Sequence, residues 1–383
     1  MTAAESAQPT ASDEQLKVLW LIKGLGVGGA EQLLLLSARN RDRARIRPTV
    51  AYLLRVKSDL AGALRDEGVE THCFEGRSSW NVRWMFALRR LLQTGRFDVI
   101  HIHSPLMAVG ARLVVRSLPR RDRPRIVVTE HNVWKSHTRL TRFSDRLTTS
   151  PREVRLAVSE AVRDSMPPPI RARTRVVRHG IDTAKVRAAA PARDGMRESL
   201  GLPAGALVVG TVANLRATKG YPDLLHAART VLDALEGVHF VSVGRGPLES
   251  ELRAMHAQLG LGDRFQLLGH RPDAVRVMSA FDVFCLPSHY EGLPVALMEA
   301  VALGLPVVAT RVGGLAELVT DGREAVLVPP RRPERLAEAL LALLRDQSRR
   351  AEMSRCALQT AETLEIEHTV REVEAVYREV TDS

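Results

Sequence analysis

Short apolar runs alternate with amphipathic stretches along most of the chain. Apolar runs bounded by glycine or charged residues are typical of buried parallel strands, and stretches with apolar residues at helical spacing are typical of helices. The predicted strands are Lys17–Ile22, Thr49–Leu54, Val69–Phe74, Phe97–His103, Arg125–His131, a sixth beginning at Arg155, Arg173–Arg178, Leu207–Val212, Val238–Val243, Phe265–Leu268, Phe281–Leu286, Val307–Thr310 and Ala325–Val328. The predicted helices are Ala30–Ala38, Asp59–Glu67, Asn81–Gln93, Tyr221–Leu235, Val295–Leu303, Pro333–Leu344, Glu352–Glu362 and Ile366–Val380.

This alternation predicts an α/β protein with two similar halves, each a doubly wound parallel sheet. A chain of 383 residues is long enough for two domains with good cores. We expect a disordered tail at 1–13, a first domain at 14–187, a second domain at 188–363 and a separate C-terminal helix at 364–383. The stretch Ala188–Asp194 is expected to be the linker.

The composition is that of a soluble globular protein, with 45% hydrophobic and 26% charged residues. The three cysteines, Cys73, Cys285 and Cys356, are far apart and lie mostly in apolar runs, so we expect buried thiols in a reducing compartment. No apolar run approaches the roughly 20 residues that span a bilayer. Because residues 1–13 also lack the apolar core of a signal peptide, we expect a cytoplasmic protein.

Positive charge is concentrated in the first half. The whole chain carries +11, whereas residues 1–185, with 28 Arg and 5 Lys against 18 acidic residues, carry +15. A basic half usually implies a polyanionic partner such as nucleic acid, anionic lipid or a phosphorylated substrate. Aromatic residues make up only 4% of the chain and no RNA- or DNA-binding module is recognised, so we expect no nucleic acid partner.

A glycine-rich loop follows the first predicted strand. Gly24, Gly26 and Gly29 satisfy the G-x-G-x-x-G spacing of dinucleotide-binding sites. A nicotinamide site also needs an acidic residue at the end of the second strand to hold the ribose, and Arg55 stands there instead. The dehydrogenase interpretation is therefore disfavoured.

The stretch Pro287–Ala300 carries the clearest chemical signal. It follows a predicted strand, and Pro294 precedes a predicted helix at a position where a missing N–H costs nothing. Glu291 lies in the loop and Glu299 about two turns into the helix. The free N–H groups at a helix start bind phosphates, and carboxylates bind hydroxyls. Together they suit a nucleotide-sugar. The alternative is that Glu291 caps the helix and Glu299 is only exposed.

The motif Pro-Ser-x-x-Glu-Gly-x-Pro at 287–294, followed by Glu299, resembles the donor-site signature of retaining GT-B glycosyltransferases, family 4 in particular. The segment Arg311–Val319 is similar to the one that follows this signature in the family. The resemblance covers nearly the whole chain. It implies two Rossmann-like domains facing an interdomain cleft, with a C-terminal helix that crosses back to the first domain.

The resemblance also assigns roles to individual residues. His131 would face the transferred sugar, Glu291 would contact the sugar hydroxyls and Glu299 would hold the ribose. Arg216 and Lys219 lie three residues apart in one loop and suit a diphosphate, the arginine as a planar fork and the lysine as a point charge. The remaining expected donor-binding residues are Gly28, Gly29, Asn214, Arg271, Gly292, Leu293, Pro294 and Val295.

Two positions depart from the family's pattern. Asn214 stands where many relatives have arginine, and Arg216 could reach the same space from two residues on. His179 stands where the family usually has asparagine, in the motif Pro-Asn-Gly-Ile-Asp. The local hydrogen bonding is therefore open, although Gly180 and Asp182 match.

The chain lacks the Asp-x-Asp metal motif of the other major glycosyltransferase fold, and no His/Cys cluster has metal-ligand spacing. We therefore expect no metal and no cofactor, with a UDP- or GDP-sugar as co-substrate. The expected function is metal-independent, retaining sugar transfer in the synthesis of cell-envelope glycan, polysaccharide or glycolipid. The alternatives are a GT-B epimerase or phosphorylase and, behind them, a basic nucleic-acid-binding protein.

The predicted helix Asn81–Gln93 motivates a hypothesis about the acceptor. One face carries an apolar stripe that is expected to pack on the sheet, whereas Val82 and Phe86 fall among arginines on the opposite face. An exposed aromatic amid arginines suits an anionic membrane surface. We hypothesise peripheral, salt-reversible association with the cytoplasmic face of a membrane and a lipid-linked or phosphorylated acceptor. The stripe consists of Trp80, Trp84, Leu88 and Leu91, and the arginines are Arg83, Arg89 and Arg90.

Overall fold

The computed structural model describes residues 15–26, 28–75 and 82–382. The expected tail at 1–13 lies outside the described residues, as do Trp80 and Asn81 at the start of a predicted helix. Within the described residues, thirteen strands form two sheets. The strands of the first sheet are β1 (Leu16–Ile22), β2 (Ile46–Tyr52), β3 (Glu70–Cys73), β4 (Val99–Ile102), β5 (Arg125–Glu130), β6 (Val154–Ala157) and β7 (Thr174–Val176). The strands of the second are β8 (Leu207–Val212), β9 (Val238–Val243), β10 (Phe265–Leu267), β11 (Val283–Leu286), β12 (Val307–Thr310) and β13 (Ala325–Val328).

Helices connect these strands throughout. In the first half they are α1 (Gly29–Asn40), α2 (Ala61–Asp66), α3 (Arg83–Gly95), α4 (Pro105–Ser117), α5 (Arg139–Thr148), α6 (Glu160–Asp164), α7 (Pro168–Arg171), α8 (Thr183–Ala189) and α9 (Arg193–Ser199). In the second half they are α10 (Tyr221–Ala234), α11 (Glu249–Gln258), α12 (Ala274–Met278), α13 (Val295–Ala302), α14 (Leu315–Leu318), α15 (Pro333–Arg345), α16 (Gln347–Ala361) and α17 (Ile366–Asp382). Short 3₁₀ turns lie at Arg120–Asp122, Trp134–Ser136, Ala217–Lys219, Gly262–Arg264 and Glu362–Leu364.

Both sheets are doubly wound. The strand orders are β3-β2-β1-β4-β5-β6-β7 and β10-β9-β8-β11-β12-β13, and the pairings that flank β1 and β8 are parallel. In each sheet the strands that follow the first one in the chain extend from it to one edge, and the later strands extend from it to the other edge, as in dinucleotide-binding folds. The predicted α/β class with two Rossmann-like domains is therefore confirmed. All the predicted strands form, because strands covered by helices on both faces have continuous apolar runs.

Several helices differ from the sequence prediction. Helices α4, α5 and α11 form in segments for which the pattern predicted none. The stretch Ala188–Asp194 includes the end of α8, at Ala189, and the start of α9, at Arg193, and its expected role as the linker stays a prediction. Asp182 explains the start of α8, because its carboxylate accepts the Lys185 N–H at 2.7 Å as an N-cap.

Close backbone contacts divide the chain into two compact units. The first takes the described residues up to Val128, the segment Ser144–Val154 and the residues from Glu374 onward. The second takes Thr129–Phe143 and Arg155–Val373. The boundary expected between residues 187 and 188 is a different division and stays a prediction.

The end of helix α17 is fixed inside the first unit by polar contacts. The Tyr377 hydroxyl accepts a hydrogen bond from Trp20 Nε1 at 3.1 Å and lies 2.6 Å from His101 Nδ1. All three side chains are buried. Because buried polar groups need partners, this cluster specifies where the C-terminal turns of α17 pack.

A buried ion cluster in the first unit holds α4 to the end of α5. The fully buried Arg112 donates to both carboxylate oxygens of Glu153, at 2.7 and 2.9 Å, and to Asp145 Oδ1 at 2.8 Å. Thr148 accepts a further bond from Arg112 at 3.1 Å. Charges removed from water are tolerated only when they are paired, so Arg112 and its two carboxylate partners depend on one another in the folded state.

Replacing Arg112 with methionine should strongly destabilise the protein. The substitution leaves two buried carboxylates without their cation, which typically costs roughly 3–5 kcal/mol. Urea denaturation followed by circular dichroism measures the change. Arg121→Met is the matched control, because the Arg121 side chain is 88% exposed. Equal unfolding free energies in the two variants would show that the cluster does not stabilise the fold.

Candidate active site

The second sheet reverses its strand order between β8 and β11, and the loops that carry Lys219 and Glu291 follow these two strands. The strands are direct neighbours, with Val283 opposite Val209. The rest of the sheet extends from β8 on one side and from β11 on the other. In open parallel sheets the loops on either side of such a reversal diverge and leave a crevice at the carboxyl ends of the strands.

Backbone contacts hold these two loops together. The Thr218 carbonyl accepts the N–H of His289 at 2.7 Å. Gly220 has a φ of +64°, and a Cβ there would lie 2.0 Å from the Pro287 carbonyl oxygen. Only glycine tolerates both the left-handed conformation and this approach, so Gly220 permits the contact between the loops.

Lys219 and Glu291 form the central ion pair of the site. Lys219 Nζ lies 2.7 Å from Glu291 Oε1 and 2.8 Å from Oε2. Ser288 donates its hydroxyl to the same carboxylate at 2.6 Å, and the Thr310 hydroxyl donates to the Ser288 carbonyl. Glu291 is only 7% exposed, so its charge depends on these partners. An ammonium has three N–H donors, so Lys219 can hold Glu291 and still donate to an anion.

The residue after Glu291 touches the backbone that carries His131. A Cβ on Gly292 would lie 1.9 Å from the His131 carbonyl oxygen, so only glycine fits there. Gly313 and Gly314 pack equally closely on the carbonyl oxygens of Glu291 and Gly292. The Glu-Gly pair is therefore enclosed by backbone on both sides, and its position relative to His131 is fixed.

The next residues lead directly into helix α13. Leu293 packs against the buried apolar cluster that contains Trp134, Pro294 is the N-cap residue, and Val295 is the first residue of the helix. The free N–H groups of a helix start favour anions. The donor-binding role expected for these three residues stays a prediction.

His131 stacks on His179. The two ring centroids are 5.4 Å apart and the planes differ by 6°. His179 is buried, and neither of its ring nitrogens has a hydrogen-bond partner among the described residues. Burial lowers its pKa to about 4. An imidazole with that pKa is neutral near pH 7, so His131 packs against a flat, uncharged ring.

Backbone polar groups on both sides of His179 have a hydrogen-bond partner, although the asparagine expected at this position is absent. Thr369, in the first turns of α17, accepts the Gly180 N–H at 2.8 Å and donates its hydroxyl to the Arg178 carbonyl at 2.8 Å. The hydrogen bonding that the sequence left open at this position is thus supplied by Thr369.

Glu299 lies on α13 and is partly exposed. Desolvation nevertheless raises its pKa from 4.5 to about 7. The folded state therefore binds this proton more tightly than the unfolded state does. Its contribution to stability is complete below about pH 4.5 and is lost as the pH rises through about 7.

Asn214 and Arg216 are both exposed, on either side of the buried Leu215. The Leu215 N–H donates to the Arg245 carbonyl at 3.0 Å and anchors the loop. Arg216 forms no ion pair within the part of the chain that the structure describes. Its guanidinium is therefore available to an anionic ligand.

Arg271 is held by its own loop. Its guanidinium donates to both oxygens of Asp273, each at 2.7 Å, and this pairing raises the pKa of Arg271 and lowers that of Asp273. Two N–H groups of Arg271 are thus taken by Asp273. The flat face of a guanidinium can still stack on a ring. The base-binding role expected for this loop stays a prediction.

Gly28 and Gly29 lie at the start of α1 in the first unit. Gly28 is the N-cap residue and Gly29 is the first residue of the helix. A Cβ on Gly28 would lie 2.4 Å from a Glu31 carboxylate oxygen. Their expected contact with the donor stays a prediction.

Three residues of this region were missed by the sequence analysis as site residues. Ser288 completes the Glu291 cluster, His179 supports the His131 ring, and the Glu317 carboxylate accepts the N–H groups of Glu160 and Ala161 at 2.8 and 2.7 Å. Ser288 and Glu317 lie inside motifs that carry the family resemblance. The sequence did not show which partners they bind.

Within residues 15–26, 28–75 and 82–382, no group of three or more His, Cys, Asp or Glu is placed to hold a metal ion. No helix in that same part of the chain is long and apolar enough to cross a membrane. All three cysteines are free thiols, but only Cys285 is buried, since Cys73 and Cys356 are partly exposed. Burial raises the pKa of the Cys285 thiol well above its ordinary value.

Two family descriptions match the chain. Glycosyltransferase Family 4 matches residues 27–185, and Glycosyl transferases group 1 matches residues 192–360. A 2-deoxystreptamine N-acetyl-D-glucosaminyltransferase of Streptomyces fradiae is 31% identical over 345 residues, which cover 82% of this chain and 78% of the relative.

A second relative matches over a shorter region. A D-inositol 3-phosphate glycosyltransferase of Corynebacterium urealyticum is 34% identical over 218 residues, or 54% of this chain. The match spans about half of that relative's own length, 51%.

A solved structure shows the same fold. The Anabaena protein Alr3699/HepE, crystallised with UDP and glucose, superposes with a TM-score of 0.83 at 21% identity, over 95% of this chain and 100% of that one. Together with the two parallel sheets and the motif around Glu291, these similarities show that the chain belongs to glycosyltransferase family 4.

Proposed function

We propose that this glycosyltransferase moves a sugar from a UDP- or GDP-sugar to an acceptor with retention of anomeric configuration and without a metal ion. The observation that carries the proposal is the cluster of Lys219, Glu291 and Ser288 beside the start of α13, where two loops meet at the strand-order reversal. It combines a cation for phosphate with a carboxylate for sugar hydroxyls. The Anabaena protein of the same fold was crystallised with UDP and glucose.

In this proposal the donor diphosphate lies between Lys219, Arg216 and the N–H groups that begin α13. These groups stabilise the negative charge that develops on the diphosphate as it leaves, which is electrostatic transition-state stabilisation. Glu291 orients the sugar through its hydroxyls, and Glu299 accepts hydrogen bonds from the ribose.

The transfer step breaks the bond between the anomeric carbon and the phosphate oxygen. The acceptor oxygen forms its bond on the same face of the sugar, and the leaving phosphate oxygen takes the acceptor proton. His131 lies beside the Glu-Gly loop and contributes to the sugar's surroundings, with the neutral His179 ring behind it.

The acceptor is proposed to be either phosphorylated or lipid-linked. The two relatives are named for different acceptors, D-inositol 3-phosphate and 2-deoxystreptamine, so family membership alone does not select one. The net charge of +15 on residues 1–185 favours a negatively charged molecule. Incubation with a panel of nucleotide-sugars and lipid extracts, followed by mass spectrometry of the products, tests this. A GT-B epimerase or phosphorylase would instead convert the nucleotide-sugar without an added acceptor.

Lys219→Ala and Glu291→Ala should each lower kcat/KM by roughly a hundredfold to a thousandfold, because each removes a charge-stabilising contact of the site. The double variant should lose less than the product of the two single losses. Each single variant leaves the other charge unpaired, and the double variant does not. Steady-state kinetics with the donor identified by the panel measures these changes.

The ion pair Arg229–Asp233 on α10, in which Asp233 is exposed and Arg229 half-buried, is the matched control for this series. Arg229→Ala breaks an ion pair of the same kind away from the site and should leave kcat/KM unchanged. Near-wild-type kinetics in both Lys219→Ala and Glu291→Ala would refute the assignment of the site.

Activity should survive saturating EDTA. Lys219, Arg216 and the start of α13 are proposed to stabilise the diphosphate in place of a metal ion. The measurement compares initial rates before and after chelation and dialysis. A loss of activity that Mg²⁺ or Mn²⁺ restores would contradict the proposed mechanism.

Nucleoside diphosphate binding should tighten as the pH rises through about 7. Ribose hydroxyls bind the ionised form of Glu299, so binding lowers its pKa and releases a proton. From the pKa of about 7, affinity should increase about tenfold between about pH 6 and about pH 8. Calorimetry in two buffers with different ionisation enthalpies measures both affinity and proton release.

Glu299→Gln is the control for this pH dependence. Titration of the ligand's own phosphate affects both proteins equally, so the difference between wild type and variant isolates the carboxyl group. Identical pH profiles for the two proteins would show that Glu299 does not bind the ribose.

A further inference from the structure

Helix α5 has its apolar side outside and a charged residue inside. Leu140, Phe143 and Leu147 are 55%, 61% and 66% exposed, whereas Asp145 is buried. At 100° per residue the three apolar side chains fall within one narrow sector of the helix. A surface helix ordinarily buries such a stripe against the core, so the orientation of α5 is the reverse of the usual one.

The buried ion cluster holds α5 in this orientation. Asp145 accepts a hydrogen bond from the fully buried Arg112 at 2.8 Å, and Thr148 accepts another at 3.1 Å. Rotating the helix to bury Phe143 would withdraw Asp145 from Arg112 and disrupt a desolvated ion pair. The exposed apolar stripe is therefore a stable feature of the fold.

Three arginines lie along one side of this stripe. Arg139 and Arg146 are exposed and Arg142 is half-buried, and the same spacing places all three in the neighbouring sector of the helix. The only acidic residue of α5 is the buried Asp145. A helix with an exposed apolar stripe beside a row of cations has the form of one that lies in the plane of an anionic membrane.

The charges also discriminate between the partners that could cover this stripe. Pairing the stripe with that of a second copy would give the arginines no acidic partner on the facing helix, because Asp145, the only acidic residue of α5, is buried. Lipid phosphates instead neutralise the arginines while the acyl boundary receives the apolar side chains.

We propose that α5 lies in the headgroup region of an anionic membrane, with Leu140, Phe143 and Leu147 inserted and the arginines on lipid phosphates. The proposal rests on the lipid-linked acceptor of the proposed function, but it does not depend on the transfer chemistry. It assigns the main anchor to α5 rather than to α3, where Val82 and Phe86 are exposed.

Flotation of the full chain with vesicles tests the proposal. Phosphatidylcholine vesicles are compared with vesicles that also contain phosphatidylglycerol, at low and at high salt. The wild type should float only with the anionic vesicles and only at low salt. Each arginine should contribute about fivefold to the lipid–water partition coefficient, so replacing all three should lower it about a hundredfold.

Two α5 variants separate insertion from charge. The apolar variant replaces the stripe with serine, and the charge variant replaces the arginines with glutamine. Because every substituted side chain is exposed or half-buried, both should keep the wild-type unfolding midpoint. The substitutions are Leu140→Ser, Phe143→Ser and Leu147→Ser in the first, and Arg139→Gln, Arg142→Gln and Arg146→Gln in the second.

Two matched controls accompany them. Leu358→Ser removes an exposed leucine from α16, and a triple glutamine variant removes the same charge from exposed helical positions elsewhere. Both controls should float like the wild type. The triple control consists of Arg253→Gln, Arg335→Gln and Arg349→Gln.

The outcomes are distinct. Loss of flotation in both α5 variants, with the controls unaffected, supports the proposal. If the α5 variants float and Phe86→Ser/Arg90→Glu does not, α3 is the anchor and the proposal is wrong. If the wild type stays soluble with anionic vesicles at low salt, membrane association itself is refuted. A wild-type dimer that the apolar variant makes monomeric, without flotation, would identify the stripe as a self-association surface.

Calorimetric titration with UDP and with GDP keeps these outcomes separate from the proposed donor chemistry. The α5 variants should bind a nucleoside diphosphate as the wild type does. If the wild type binds a nucleoside diphosphate but does not float with anionic vesicles, the membrane proposal alone is overturned.

Discussion

The reversal of strand order between β8 and β11 is the constraint on which the candidate site depends. It brings together two loops that are separated by about seventy residues of sequence, and Lys219 and Glu291 meet there at 2.7 Å. Gly220 permits the close approach of the loops, and Gly292 permits the contact with the His131 backbone. Changing the order of the strands would disperse these groups even if every local element were kept.

The pairing of buried charges fixes the orientation of a side chain in the site and of a helix in the first unit. In the site, Glu291 is desolvated and is therefore tied to Lys219 and Ser288, which fixes the direction of its carboxylate. In the first unit, Arg112 draws Asp145 inward and leaves the apolar side of α5 exposed. In both cases the need to pair a buried charge outweighs local preferences, because an unpaired one costs several kcal/mol.

The fold class and the strands could be predicted from the pattern of apolar positions, whereas several helices could not. Parallel strands covered on both faces leave continuous apolar runs, and Leu207–Val212 and Val238–Val243 have the bounds that these runs predicted. Helix α5 could not be predicted in this way. Its apolar residues have helical spacing, but nothing in the local pattern says that the polar side faces inward. That decision depends on Arg112, which lies on another helix.

The sequence by itself determined the α/β class, the strand positions and the residue types at the donor motif, because each is encoded within a few neighbouring residues. It also named Lys219, Glu291 and His131 as members of one site through a family resemblance. Only the tertiary structure decided that Lys219 pairs directly with Glu291 and that His179 stacks on His131. The physical reason is that local periodicity specifies which face of an element is buried, whereas contacts between distant segments depend on strand order and on the pairing of desolvated polar groups.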